Sequence, residues 1–267
     1  MTAAYYGLAG DPFDKHFAKP ANCFRSEDFR AVTARLGHLK ETRGIGLLTA
    51  APGMGKSLAL RCFADGLNQN LYKPLYISMS TLTAGEFHKQ LCSELGIADA
   101  YGKAGLVKAA KAVIEDMYTE KRRTLVLMLD EAQYLNADVL RDLKILMNFR
   151  YDSLNCMALV LCGEPCLRGV LRRPVNEALR QRIAVHYDYK GLGDGEVQPY
   201  IMHKIRSASG SESIIDQSAV NAVHGIAGGN PRLIDGIMSD ALVLGCQMDK
   251  KTIDAEVIVA ASENRAI

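Results

Sequence analysis

Charge of one sign is what this sequence most plainly lacks. Lys and Arg number 32 against 30 Asp and Glu, so no bulk attraction draws the chain to nucleic acid and only a local basic patch would do so. Long apolar runs are missing as well. The longest, Leu125 to Leu129 and Met157 to Cys162, fall far short of the ~20 residues that span a bilayer. The N-terminus shows no basic stretch followed by an apolar one, so a soluble, cytoplasmic protein with no membrane partner is expected. Seven cysteines without a CxxC pair argue against a disulfide framework and fit a reducing compartment. Cys162, Cys166 and His186 are read as ordinary side chains rather than metal ligands, and the six histidines show no HExxH spacing.

What is present is a core. Of 267 residues, 48% are hydrophobic, enough for one substantial core and a second, smaller domain. Apolar runs alternate with helical patterns, the signature of strands and crossover helices in a parallel α/β sheet. Ser26 opens a helix with the stripe Phe29, Val32, Leu36 and Leu39 that ends near Gly44. Ile45 to Thr49 reads as a buried strand, Ser57 to Asn68 as a helix, and Leu75 to Met79 as the next strand. Thr83-Ala-Gly-Glu86 is a capping box opening a helix to about Leu95, and a longer helix covers about Lys103 to Thr119. Thr124 to Leu129 reads as a central strand covered on both faces. Asp138 to Phe149 reads as a helix, Ala158 to Cys162 as a fourth strand and Arg182 to Tyr189 as a fifth. Gly191 to Gly195 looks like a boundary, which gives an α/β domain with an N-terminal extension over 1–190. A helical lid follows over 191–267, with helices near Glu196–Ala208, Asp216–Ala227, Arg232–Cys246 and Asp254–Ser262.

The loop between the first strand and its helix is Ala50-Ala51-Pro52-Gly53-Met54-Gly55-Lys56-Ser57. Consecutive backbone N–H groups can turn inward toward an anion only where glycines permit it, and the helix N-terminus behind them adds a favourable dipole. Pro52, Gly53, Met54, Gly55, Lys56, Ser57 and Leu58 are therefore the expected ATP-binding residues. Lys56 would reach the β- and γ-phosphates, and the Ser57 hydroxyl would take a magnesium position. The third strand ends in Asp130-Glu131 at the carboxyl edge of the sheet. Asp130 is read as the second magnesium residue, and Glu131 as the group that orients and deprotonates the attacking water. Arg180 and Arg182, in Leu179-Arg-Gln-Arg-Ile183, are either arginine fingers offered to a neighbouring subunit's γ-phosphate or partners in surface ion pairs. Arg232, in Gly229-Asn-Pro-Arg, either reports the nucleotide's state or merely opens a helix.

Together these residues resemble the AAA+ ATPases. Tyr6-Gly-Leu8, Asp11-Pro-Phe13, Asp130-Glu-Ala-Gln133, Leu161-Cys-Gly-Glu-Pro165 and Gly229-Asn-Pro-Arg232 are similar to segments of the ExeA/TnsC-type branch, in the branch's order. Ala50 stands where the usual loop has glycine, and Glu164 where relatives carry a neutral polar sensor, so no role is assigned to Glu164. The resemblance implies a five-stranded sheet of order 5-1-4-3-2 with a helical lid, assembling with itself into a ring or helical filament. It also implies an ATP-dependent regulator that polymerises on duplex DNA and recruits a transposase; a nucleotide switch acting on a protein partner in secretion or assembly is the alternative. Such a filament would line its bore with polar and basic side chains directed at phosphates. Candidates are Thr81, Thr83, Lys89, Lys103, Lys108, Lys111, Lys121, Arg122 and Arg123, each equally an ordinary residue on a solvated face.

Overall fold

Local capping chemistry starts the helices where the sequence places them. The Phe29 amide donates to Ser26 Oγ at 3.0 Å, and Thr83 and Glu86 form the reciprocal capping box. A computed structural model of the chain describes residues 2–15, 22–78 and 82–265. In chain order, α1 (Thr2–Tyr5) and α2 (Glu27–Thr42) precede β1 (Ile45–Ala50), α3 (Lys56–Asp65) and β2 (Tyr72–Ser78). Next come α4 (Ala84–Leu95), α5 (Gly102–Thr119), β3 (Thr124–Asp130), α6 (Ala137–Leu146) and β4 (Met157–Gly163). The elements α7 (Cys166–Arg172), α8 (Glu177–Arg180) and β5 (Ile183–Tyr189) complete the α/β part. Four helices follow: α9 (Val197–Ser207), α10 (Gln217–Ala227), α11 (Pro231–Gln247) and α12 (Ala255–Glu263).

Two compact units divide these elements. One holds Ala31–Ala51 and Lys56–Tyr189. Its five strands pair in the order β2-β3-β4-β1-β5, and every pairing is parallel. This is the α/β sheet the sequence implies. Strands β1, β3 and β4 are buried at every position, as a parallel sheet with both faces covered requires. The main core joins Leu125, Leu127 and Leu129 of β3 to Phe87 and Leu91 of α4, Ile114 of α5 and Leu143 of α6.

β2 runs from Tyr72, earlier than the expected Leu75, because Pro74 is tolerated within it. Among the described residues the strand lies at the sheet edge and pairs only with β3, so its missing N–H need not leave a ladder bond unmade. Its expected last residue, Met79, and Thr81 lie outside the described residues.

The other unit holds Met1–Arg30, Pro52–Gly55 and Lys190–Ile267. Its core packs Ile201 and Ile205 of α9, Val223 of α10, Ile234 and Met238 of α11 and Val257 of α12 around Tyr6, Leu8 and Phe13. The N-terminal segment, read from the sequence as an extension of the α/β domain, therefore buries its apolar side chains among these helices. Tyr6 also donates its hydroxyl to the Lys250 carbonyl at 3.0 Å. Asp28 accepts from the amides of Lys190 and Gly191 at 2.6 and 3.0 Å, fixing the backbone where the sequence suggested a boundary. Among the described residues, no helix is long and apolar enough to cross a membrane.

Candidate nucleotide site

Parallel strands carry their functional groups at their carboxyl ends, and here β1 and β3 end in the residues singled out above. Gly53 and Gly55 adopt φ of 84° and 101°, the left-handed region that glycine enters without a Cβ penalty. The loop tip, Pro52–Gly55, is pinned within its own unit. Asn230 donates Nδ2 to the Pro52 carbonyl at 3.0 Å, and the Arg232 amide donates to the Gly53 carbonyl at 3.3 Å. A Cβ at Gly53 would lie 2.5 Å from Asn230 Oδ1, so only glycine fits there. Arg232 is exposed at the first turn of α11.

In the sheet unit, Lys56 is buried at 6% exposure, and its ammonium donates to the Ala50 carbonyl at 3.1 Å. A buried cation resting on a neutral carbonyl is a ready partner for an incoming anion. Ser57 donates its hydroxyl to Asp130 Oδ2 at 2.8 Å, and the Tyr76 hydroxyl donates to the same oxygen at 2.7 Å. Asp130, 2% exposed, is thereby oriented from two sides. Burial, reinforced by Asp130, raises the Tyr76 phenol well above its ordinary range, so it stays a donor. Burial likewise pushes the neighbouring Cys162 thiol well up, which makes it packing rather than a nucleophile. The Ser57 hydroxyl and the Asp130 carboxylate form an all-oxygen donor pair. That set fits magnesium, which takes one or two protein oxygens and keeps its waters.

Glu131 follows directly and is left-handed, with φ 53° and ψ 37°. A non-glycine residue held there carries strain of order 1 kcal/mol or more, which functional sites retain when the side chain's direction matters. Its amide donates to Asp130 Oδ1 at 2.9 Å, and its Oε2 accepts from Gln133 Nε2 at 2.6 Å. Lys56, Ser57, Asp130 and Glu131 thus belong to one unit, with Asp130 bonded to Ser57.

The remaining candidates are placed differently. Arg180 pairs with Glu177 at 2.8 Å within α8. Arg182 forms a two-pronged pair with Asp152, both contacts at 2.6 Å, which holds the Asp152 carboxyl below its usual value. Of the DNA-contact candidates, Thr83 spends its hydroxyl on the α4 cap, and Lys121 pairs with Asp116 at 2.8 Å. Lys89 is exposed on α4. Arg122 lines a 390 Å³ cavity with Arg43, Tyr72 and Tyr118. Tyr76 and Gln133 were missed. A tyrosine in an edge strand and a glutamine after an acidic pair carry no signal until strand register and side-chain reach are known.

Lys103 has a structural partner: its ammonium lies 2.7 Å from Oδ2 of the buried Asp142, and His88 Nε2 lies 3.1 Å from the same oxygen. Burial pulls the His88 pKa below its ordinary 6.5, opposed by Asp142. The folded state therefore resists a proton that the unfolded chain accepts. The stability this contributes is full above about pH 6.5 and is lost as pH falls through that value toward the folded pKa. Thermal denaturation followed from about pH 8 to about pH 5.5 should show a falling midpoint that His88→Phe flattens; an unchanged slope in the variant would remove His88 from the effect.

Residues 39–171 match the family model described as AAA domain. The chain is 29% identical over 269 residues to General secretion pathway protein A of Aeromonas hydrophila, covering 98% of this chain and 48% of that protein. It thus spans about half the length of the curated relative it matches. The fold is similar to that of Cdc6p from Pyrobaculum aerophilum, with TM-score 0.72 and 16% identity over 95% of this chain and 70% of the other. It is also similar to Aeropyrum pernix ORC1 in complex with DNA, with TM-score 0.67 and 14% identity over 95% and 68% of the two chains. The chain is thus similar to the AAA domain over residues 39–171, and its five parallel strands in the order β2-β3-β4-β1-β5 match the α/β core of the AAA+ P-loop ATPases.

Proposed function

We propose that the chain binds ATP with magnesium and hydrolyses it, using Lys56, Ser57, Asp130 and Glu131. The observation that carries this is the joining of the first turn of α3 to the acidic strand end by the Ser57–Asp130 hydrogen bond. Lys56 and the loop amides of Gly53 to Leu58 bind the phosphates. Ser57 and Asp130 would hold magnesium, which when bound neutralises charge on the β- and γ-phosphates. Glu131 accepts a proton from water as the water oxygen bonds to the γ-phosphorus. The bond from that phosphorus to the bridging oxygen breaks, leaving ADP and inorganic phosphate.

The finer reading is an ATPase that assembles with itself on duplex DNA and regulates transposition by recruiting a transposase. Arg180, Arg182 and Arg232 would respond to nucleotide within the assembly, and Arg182 would have to leave Asp152 to do so. The motif resemblance supports this reading, as does the likeness to ORC1 solved with DNA. Lys89 and Arg122 keep exposed positions for phosphate contacts, whereas Thr83, Lys103 and Lys121 are engaged within the fold. The second reading, a switch acting on a protein partner in secretion, is favoured by the likeness to General secretion pathway protein A.

Duplex binding separates the two. With a non-hydrolysable ATP analogue, fluorescence anisotropy on labelled duplex should show binding that weakens by roughly 10³-fold or more between about 50 and 200 mM salt. Lys89→Ala and Arg122→Ala should each flatten that salt dependence. Binding absent with and without nucleotide would overturn the DNA reading and leave the protein switch.

A further inference from the structure

The end of β3 is tied to the end of β4 by a single side chain. Gln133 donates Nε2 to Glu131 Oε2 at 2.6 Å and accepts the Glu164 amide on Oε1 at 3.1 Å. The two bonds fix which end of the amide faces which way. A backbone N–H needs an acceptor and a carboxylate needs a donor, so the reverse orientation would oppose donor to donor and oxygen to oxygen. The short helical turn Ala132–Tyr134 that carries Gln133 is anchored by Ala132, which is fully buried. Gly163, the last residue of β4, is shaped to admit the amide: a Cβ there would lie 2.3 Å from Gln133 Oε1. Gly163 also pairs in register with Thr49 of β1, the strand that leads into the phosphate loop.

From this geometry we infer that Gln133 is the positioning residue for Glu131, holding its carboxylate in register with the carboxyl end of β4. The inference rests on the hydrolytic reading above. With Oε2 held by Gln133, Oε1 is the oxygen free to take the proton from water. Glu131 accepts this hydrogen bond from a left-handed backbone conformation. Gly163 belongs to the same device, because its missing Cβ is the space the amide occupies.

Steady-state ATP turnover, ATP binding and thermal melting on the full chain test this with Gln133→Met, Gln133→Glu, Gln133→Ala and Gly163→Ala. Gln133→Met keeps length and volume but removes both hydrogen bonds. It should lower kcat about tenfold to a hundredfold, as misplacement of a catalytic group does, with KM for ATP and the melting midpoint unchanged. Gln133→Glu still accepts the Glu164 amide but places a carboxylate against Glu131 in place of a donor, so its kcat should fall at least as far. Gly163→Ala should lower kcat comparably alone and add little to Gln133→Ala, because both disturb one contact. Wild-type turnover with Gln133→Met within about twofold of it overturns the inference alone. A KM rise with unchanged kcat does the same, since it would make Gln133 a ground-state contact. No turnover in the wild type overturns the hydrolytic reading and the inference together.

Discussion

Glu131→Gln should lower kcat for ATP by about 10²- to 10⁴-fold, the range that a positioned general base supplies, while ATP affinity stays within a few-fold. The split follows from what the side chain touches. Glu131 bonds to Gln133 and lies beside Asp130, whereas the groups proposed to face the phosphates are Lys56 and the loop amides. Glutamine retains the size of glutamate but cannot take a proton at neutral pH. If ATP controls assembly, this variant should hold ATP long enough to accumulate the ATP-bound oligomer, visible by light scattering. Turnover equal to wild type would remove Glu131 from catalysis and leave its left-handed backbone without a functional account.

Lys56→Ala should lose ATP binding rather than turnover alone. The ammonium is buried beside the first carbonyl of the loop, so an arriving phosphate meets a cation largely stripped of water. Hydrogen bonds to charged groups contribute roughly 1.5–3 kcal/mol each, and about 1.4 kcal/mol is tenfold in affinity. Losing one to two such bonds predicts a Kd about 10- to 10⁴-fold weaker, read by fluorescent-nucleotide titration. The fold should survive, because the substitution removes a buried charge together with its hydrogen bond to the Ala50 carbonyl. Unchanged affinity would place the phosphates elsewhere.

The parts of the candidate site that were legible in the sequence are those written in contiguous residues. The loop from Ala50 to Ser57 needs only the order strand, glycines, lysine, helix. Asp130-Glu131 is marked by the apolar run that delivers it to the sheet edge. The supporting contacts depend on distances between segments. Tyr76 reaches Asp130 from the neighbouring strand because Ser78 pairs with Asp130, a register no local pattern states. Gln133 reaches Glu164 only because β3 and β4 are adjacent. The packing of Tyr6, Leu8 and Phe13 with residues from Val197 onward was hidden for the same reason, since apolar side chains announce burial but not their partner. The short helices α7 and α8 carry too few turns for periodicity to reveal them. Arg182 shows the converse. Its position was legible, but the Asp152 carboxylate that holds it comes from a loop thirty residues earlier.

Phosphate release from ATP by the purified chain, with magnesium and with the metal chelated, tests the central claim most directly. Magnesium-dependent release that saturates with ATP and falls about a hundredfold or more in both Lys56→Ala and Glu131→Gln is the expected result. Nucleotide binding should be lost only in the first. Magnesium-dependent release that persisted in both variants at the wild-type rate would contradict it.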